Sequence, residues 1–367
     1  MKKIISIFLV LTMLFLSFVG CKPSDKDEEN SSEQATEEIT TKEAEEDEEL
    51  SDEEKEAKYN EALDLIKSKN YVAARKIFVE LGKYKDSKKQ LSYFRYVPIS
   101  STFLGDENSS ITFSYDSKNL PVKFSQTYSN GGNIKYDFTY NENGWLTKAK
   151  LTSSTSSYSY TASIVYTYDQ RGNIVSLSQT SANSGQSTSS FVYDDNDNLI
   201  KSTVIYAGGA DISEYTYDAK GNVIKEIQKD EDGDVVSTNN YTYDARGNLL
   251  KEEILYPDGR KINCDYTYDA KGNLLKKVKN IFGTSEYIYD YTYDKKGNMI
   301  KEVYNHVGGE TRNYDCTYDE NGNLIKKICT YSSGKTETID VQYRFVYLPY
   351  ELSEEIEELF LVWELYG

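Results

Sequence analysis

Apolar and polar residues alternate along most of the chain, and the alternation is broken by short turns that return at a nearly constant spacing. The stretch YTYDAKGNLLKK, residues 266–277, reads as two strand-like pieces around a turn, and related copies recur along the sequence. The tyrosines that lead the copies stand 24 to 28 residues apart: Tyr115, Tyr140, Tyr168, Tyr193, Tyr217, Tyr243, Tyr268, Tyr293, Tyr318 and Tyr343. Spacing this constant predicts a repeat architecture.

Each copy carries the residues of a tight hairpin turn. Asp269 suits the first position of a type I turn, because its carboxylate accepts hydrogen bonds from the backbone ahead, and Gly272 suits the following position of positive φ. Such a turn sets Leu274 opposite the lead tyrosine Tyr268, which predicts one apolar core pair per copy. Two residues farther from the turn, we expect the stem of Lys276 to lie over the ring of Tyr266.

A second, more variable turn containing glycine closes each copy, so each unit supplies two strands. The pattern predicts a mainly β domain over residues 99–350, with about ten hairpin units of about 25 residues and roughly 18 to 20 antiparallel strands. Twisted open sheets rarely exceed about ten strands. We therefore expect the meander to curl into a spiral or barrel-like sheet with its Tyr/Leu face inside.

The two ends of the periodic region have helical spacing. Residues 58–98 predict a helical hairpin whose second helix stops at Gly82, with Asp86 or Ser87 positioned to cap a third helix. The phrase NYVAARKIF resembles the second half of a tetratricopeptide unit. A solenoid needs about three such units, so a spacer or cap is the better interpretation. Residues 351–367 predict a capping helix with these residues on one face: Ile356, Leu359, Phe360 and Trp363.

The start of the chain has the layout of an export signal. Residues 1–20 join a basic start to an apolar run, and the ending before Cys21 resembles the lipobox of bacterial lipoproteins. That resemblance implies removal of the signal peptide and lipidation of Cys21. We expect residues 21–57 to be a disordered tether, which would hold the protein on the extracytoplasmic face of the cell membrane.

The charge of the chain is concentrated in this tether. The formal net charge is -18, and residues 22–58 hold 17 Asp and Glu against 5 Lys. Such a segment buries too little apolar surface to fold. Because phosphate contacts need clustered Lys and Arg, the acidity argues against nucleic acid as a partner.

The sequence shows no catalytic or metal-binding constellation. The repeated aspartates are explained by turn chemistry, and His306 stands alone in a variable loop. Calcium is weakly indicated by the oxygen-rich stretches 194–198 and 230–234, but neither fits an EF-hand loop. We therefore predict no enzyme activity and no cofactor, and we expect Cys264, Cys316 and Cys329 to be free, partly buried thiols.

The tyrosines are the remaining functional candidates. The chain has 34 of them, and an aromatic ring with a hydroxyl suits either a half-buried sheet or a sugar ring. The lead tyrosines are assigned to the core. Tyr206, Tyr256 and Tyr331 fall outside the phase of the core near the variable turns, so they are the candidate ligand-binding residues.

The recurring phrase Tyr-x-Tyr-Asp-x-x-Gly-x-Leu, together with a second glycine turn, resembles the YD repeat of the RHS family over about residues 110–345. The resemblance implies a spiralling β-sheet shell of the kind found in bacterial surface proteins, with carbohydrate binding as the expected function. We therefore expect a membrane-anchored module that binds envelope polysaccharide. The alternatives are a structural or protein-interaction scaffold without affinity for sugar and, less well supported, a glycan-active hydrolase.

Overall fold

The computed structural model describes residues 50–155, 158–182, 185–350, 352 and 356. The chain divides into a helical unit that ends at Arg95 and includes Phe345–Pro349, and a sheet unit that includes Tyr96–Arg344 and the chain from Tyr350 onward. The predicted signal peptide, Cys21 and most of the predicted tether lie outside the described residues. So does the predicted capping helix, apart from Leu352 and Ile356, which are both buried.

In the described part of the helical unit there are three helices: α1 (Asp52–Lys67), α2 (Tyr71–Leu81) and α3 (Ser87–Leu91). Helix α1 begins within the range 21–57 for which the sequence predicted disorder. Ser51 and Glu54 form a capping box, in which each side chain accepts a hydrogen bond from the backbone of the other residue. This cap satisfies amide groups that would otherwise be unpaired, and so the acidic end of the predicted tether is helical.

The core of the helical unit lies between α1 and α2. Ala62, Phe78 and Leu81 are buried there. The Phe78 ring lies 5.7 Å from the ring of Tyr59 in an edge-on arrangement. Gly82 ends α2 with a φ of +55°, as the sequence predicted.

The sheet has twenty strands within the residues that the structure describes. They are β1 (Phe94–Leu104), β2 (Ser109–Tyr115), β3 (Pro121–Tyr128), β4 (Asn133–Tyr140), β5 (Leu146–Ser154), β6 (Ser159–Tyr168), β7 (Ile174–Ser181), β8 (Gly185–Tyr193), β9 (Leu199–Tyr206), β10 (Gly209–Tyr217), β11 (Val223–Lys229), β12 (Val235–Tyr243), β13 (Leu249–Leu255), β14 (Lys261–Tyr268), β15 (Leu274–Ile281), β16 (Ser285–Tyr293), β17 (Met299–His306), β18 (Thr311–Tyr318), β19 (Leu324–Tyr331) and β20 (Thr336–Tyr347). The predicted number of strands is confirmed.

The sheet is a meander that closes on itself. Each strand pairs with the next along the chain, and β1 also pairs with β20. The prediction of a mainly β, barrel-like sheet is therefore confirmed, because the sheet curls until its first and last strands pair. Because closure gives every strand two neighbours, no long edge is left open to aggregation.

The two faces of the sheet differ in burial. In β14, buried Cys264 and Tyr266 alternate with exposed Asp265 and Thr267. We call the face that carries the buried side chains the inner face. Among the described residues, no helix has the length and apolar character needed to cross a membrane.

Candidate functional site

The tight hairpin turns of the repeat, here called the fixed turns, join each even-numbered strand from β2 to β18 to the next strand, and they are built as the sequence predicted. In the turn after β14, the Gly272 amide donates to the Asp269 carbonyl at 3.1 Å. The Asn273 amide donates to Asp269 Oδ1 at 2.8 Å, and Gly272 has a φ of +89°. In the equivalent turn at 194–198, Asp197 takes the left-handed position with a φ of +63°. At Asp269, Oδ1 thus accepts from backbone amides and Oδ2 accepts from the Asn273 side-chain amide.

The lead tyrosines connect each fixed turn to the one before it. The Tyr268 hydroxyl donates to the Leu249 carbonyl at 2.9 Å. The same bond recurs to the carbonyl of the first residue after the preceding turn, at 2.6 to 2.9 Å, from Tyr140, Tyr168, Tyr193, Tyr217, Tyr243, Tyr293 and Tyr318. These hydrogen bonds therefore join consecutive units along the rim that carries the fixed turns.

One register prediction is wrong. Tyr268 does face Leu274, but the ladder shifts by one residue between Thr267 and Tyr268, and Tyr266 faces Lys277. The bulge leaves Leu275 unpaired, and so every later residue of β15 changes face relative to a regular ladder. The Lys277 ammonium lies 5.6 Å from the centre of the Tyr266 ring.

Lys276, in contrast, lies on the outer face. It is opposite Thr267 in β14 and its ammonium is 3.8 Å from Asp290 Oδ1 in β16. An exposed ion pair at this distance contributes little stability, typically about 0 to 1 kcal/mol.

The bulge also reveals a row of charges that sequence reasoning missed. The inner position that pairs two residues before each lead tyrosine holds Phe124, Ala149, Leu177 and Ser202 in the earlier units. In the later units it holds Glu226, Glu252, Lys277, Glu302 and Lys327. Aligning the copies by their bulge, instead of by a regular alternation, would have shown this change from uncharged to charged residues.

Tyrosines and amides surround the carboxylates of this row. Glu226 accepts hydrogen bonds from Asn239 Nδ2 at 3.0 Å and from the Tyr241 hydroxyl at 3.3 Å. Burial, and then the charges of Glu226 and Glu252, raises the pKa of Tyr241. Burial also raises the pKa of Glu302, an effect that nearby lysines partly oppose. A buried carboxylate that accepts hydrogen bonds, as Glu226 does, is a structural part of the inner face.

The three candidate tyrosines lie at the opposite rim, where the variable turns are. We call this the variable rim. Tyr206 ends β9, Tyr331 ends β19, and Tyr256 follows β13. Since adjacent strands are about 4.8 Å apart, Tyr206 and Tyr256 are about 20 Å apart along the sheet. The structure therefore places them as separate positions and does not bring them into one site.

Each of these tyrosines has a charged neighbour. The Tyr206 hydroxyl donates to Asp211 at 3.3 Å. The Tyr331 hydroxyl donates to Glu337 at 2.6 Å. The guanidinium of Arg260 lies 5.6 Å from the Tyr256 ring. The repeated element of the variable rim is thus a partly exposed aromatic ring beside a charged group.

Tyr331 has the most elaborate surroundings of the three. The guanidinium of Arg312 lies 5.1 Å and the ammonium of Lys335 lies 4.8 Å from the centre of its ring. Lys335 also forms an ion pair with Glu337 at 2.6 Å. Sequence reasoning missed these partners because they come from three different strands or turns.

His306 and the cysteines are the described residues that remain as candidates for metal binding. No group of three or more His, Cys, Asp or Glu side chains within these residues is arranged to hold a metal ion. His306 stacks on Tyr287 with ring centres 4.5 Å apart. Cys264, Cys316 and Cys329 form no disulfide, as predicted, and they are buried where the sequence predicted partial burial. Burial raises the pKa of the Cys264 thiol to about 11.

The fixed turns should make the sheet sensitive to acid. The Asn222 side chain and backbone, which both donate to Asp218, lower the pKa of Asp218 from its ordinary value of 3.8. A carboxyl with a depressed pKa stabilises the fold above its unfolded pKa, and this contribution is lost as the pH falls through the folded value. We expect Asp218→Asn to lower the melting temperature at neutral pH and to have a smaller effect at about pH 2, measured by thermal unfolding.

Asp195→Asn is the control for this prediction, because Asp195 is an exposed residue inside the equivalent turn at 194–198. It should leave the melting temperature nearly unchanged at both pH values. A loss for Asp218→Asn that is as large in acid as at neutral pH would show that the carboxylate charge is not what stabilises the turn.

Comparison with known protein families agrees with this architecture. The sequence model of the Teneurin YD-shell family matches residues 25–329. The chain belongs to the Teneurin YD-shell family. The resemblance to YD-repeat proteins is thereby confirmed, and the YD-shell assignment identifies the repeats as a scaffold fold.

Solved structures similar to this YD-shell chain share little sequence with it. The crystal structure of TcdB2-TccC3-TEV is 13% identical and has a TM-score of 0.26; the match covers 64% of this chain and 15% of that one. A porin-like protein from Bacteroides uniformis is 11% identical, with 68% and 98% of the chains covered and a TM-score of 0.36. This chain thus spans about 15% of the length of the first structure. No curated protein sequence matches the chain.

Proposed function

We propose that this YD-shell chain is a lipid-anchored surface module that binds carbohydrate at its variable rim. The observation that supports the proposal is the pairing of an aromatic ring with a charged group at three variable turns: Tyr206 with Asp211, Tyr256 with Arg260, and Tyr331 with Glu337. A ring of this kind packs against the apolar face of a sugar, and the charged group hydrogen-bonds the sugar hydroxyls.

The fold suits such a role because it separates stability from recognition. The lead tyrosines and fixed turns stabilise one rim, whereas the variable turns differ in sequence from unit to unit. Loops carried on a rigid scaffold are where binding residues commonly lie. Envelope polysaccharide is the ligand that an anchored module would meet at the cell surface.

A glycan array probed with the full chain tests the binding proposal. We expect binding to at least one oligosaccharide class, and we expect Tyr331→Ala to weaken it by removing the ring. Lys276→Gln on the outer face is the matched control, and it should bind as the unsubstituted protein does. An array with no signal above background would favour the alternative, a protein-interaction scaffold without affinity for sugar.

The anchor has a separate test, since Cys21 lies outside the described residues. Cys21→Ala should abolish metabolic labelling with a radioactive fatty acid and should release the protein from the membrane fraction or leave its signal peptide attached. Lipid labelling that persists in this variant would rule out the anchoring proposal, whatever the result of the glycan array.

A further inference from the structure

The turn between β15 and β16 holds a phenylalanine in an unfavourable backbone conformation. Phe282 has a φ of +55° and the next residue, Gly283, has a φ of +71°. The Thr284 amide closes the turn by donating to the Ile281 carbonyl at 3.0 Å. Ile281 pairs with Ser285, so three residues form the turn. A residue of positive φ is favourable for Gly, Asn or Asp and unfavourable for a bulky side chain. A phenylalanine there costs about 1 kcal/mol or more.

The hydrogen bonds of this turn do not involve the phenylalanine side chain. The Gly283 amide donates to Asn280 Oδ1 at 2.8 Å, and the Thr284 hydroxyl donates to the Ile281 carbonyl at 3.1 Å. An asparagine at 282 would satisfy the same backbone with less strain. The presence of an aromatic ring at this position therefore calls for another explanation.

The ring of Phe282 faces the neighbouring variable turn. It meets the Tyr256 ring edge-on, with centres 5.7 Å apart and planes at 69°. The Arg260 guanidinium lies 4.8 Å from the centre of the Phe282 ring. Phe282 nevertheless keeps 37% of its surface exposed. Two aromatic rings at an angle thus form an exposed corner with a cation beside them.

The arginine of this corner is held in place by its own turn. Arg260 Nε donates to Asp258 Oδ2 at 2.6 Å, and the Arg260 amide donates to Asp258 Oδ1 at 3.0 Å. The Arg260 amide also lowers the pKa of Asp258, so this carboxyl is charged at neutral pH. Pro257 fixes one φ of the turn, and Gly259 takes a φ of +83°. A guanidinium held in this way is preorganised, because little side-chain freedom remains to be lost on binding.

We infer that Tyr256, Arg260 and Phe282 form a subsite for one ring of a neutral hexose chain. The C–H face of the sugar packs on the exposed aromatic surface, its hydroxyls accept hydrogen bonds from the guanidinium, and Asp258 accepts one in return. The inference rests on the proposed function and deepens it by naming the class of sugar.

The charge around the subsite decides between a neutral and an acidic sugar. Asp258 already compensates the charge of Arg260 at 2.6 Å, and a sugar carboxylate would compete with it for the same donors. Residues 59–367, which exclude the acidic tether, still hold 43 Asp and Glu against 35 Lys and Arg, a net charge of -8. An acidic polysaccharide would be repelled at long range, whereas a neutral one would not.

Phe282→Asn separates recognition from folding. The full chain and the variant are titrated by calorimetry with a panel of neutral hexose hexasaccharides and with oligogalacturonate as the acidic probe. We expect a neutral hexasaccharide to bind, and Phe282→Asn to weaken its affinity by about tenfold or more. The melting temperature of the variant should stay the same or rise, because asparagine tolerates positive φ.

Val307→Asn is the matched control, because Val307 is a 53% exposed apolar residue of another variable turn. It should leave binding unchanged. Undiminished binding by Phe282→Asn, or a clear fall in its melting temperature, would overturn the subsite and leave the proposed function standing. Preferred binding of oligogalacturonate would overturn the assignment to neutral sugars. If no oligosaccharide of either kind binds the unsubstituted chain, the proposed function itself fails.

Discussion

Phe78→Ala is expected to lower the free energy of unfolding of the helical unit by about 3 to 5 kcal/mol, because the side chain is lost from a core that cannot fill the space. Phe78 is fully buried and its ring lies 5.7 Å from Tyr59 and 6.2 Å from Phe94. Denaturant unfolding followed by circular dichroism, with hydrogen exchange of the α1 and α2 amides, measures the loss.

The neighbouring residue provides the control. Val79 lies on the same helix and is 54% exposed, so Val79→Ala should change the free energy of unfolding by less than about 0.5 kcal/mol. If the two variants lose similar stability, the core of the helical unit is not centred on Phe78.

Gly144→Ala is expected to destabilise the sheet unit by about 2 to 4 kcal/mol, the sum of a backbone term and a packing term. Gly144 has a φ of +80°, in the left-handed region, where a side chain is unfavourable. A β-carbon at this position would also overlap the ring of Tyr350, which would have to move. Thermal and denaturant unfolding of the full chain measure the loss.

Gly131→Ala isolates the backbone term of this prediction. Gly131 has a φ of +88° and no atom within 4 Å of a β-carbon built there, so its substitution should cost about 1 kcal/mol. Combining Gly144→Ala with Tyr350→Ala should reduce the added cost of the glycine substitution to that level. Equal losses for the two single glycine variants would mean that Tyr350 gives way freely and that the packing term is absent.

Local chemistry explains which parts of the fold were predictable from the sequence. The Asp269 turn, the positive φ of Gly272 and the pairing of Tyr268 with Leu274 depend on residues close together in the chain, and the recurrence of the phrase reinforces each of them. The number of strands follows from the same recurrence. These features need no knowledge of distant neighbours.

The parts that could not be predicted depend on the bulge and on contacts between turns. An extra residue, Leu275, changes the face of all that follows it in β15, and so Lys277 takes the inner position that was assigned to Lys276. The pairing of β1 with β20 that closes the sheet joins the two ends of the periodic region, for which the repeat carries no signal. The strain at Phe282 depends on a turn type that the phrase NIFGTS does not announce.

The hydrogen bonds of the lead tyrosines, at the rim of the fixed turns, also bear on how this sheet could change in size over evolutionary time. The lead hydroxyls from Tyr140 to Tyr318 each donate to a backbone carbonyl of the preceding unit. A carbonyl is present whatever the side chain of that residue. A duplicated or deleted hairpin unit would therefore find an equivalent partner at each new junction. Every such event would alter the circumference by two strands, about 10 Å, and leave the bonding pattern intact. The number of repeats can thus set the width of the enclosed space independently of the turns that vary along the opposite rim.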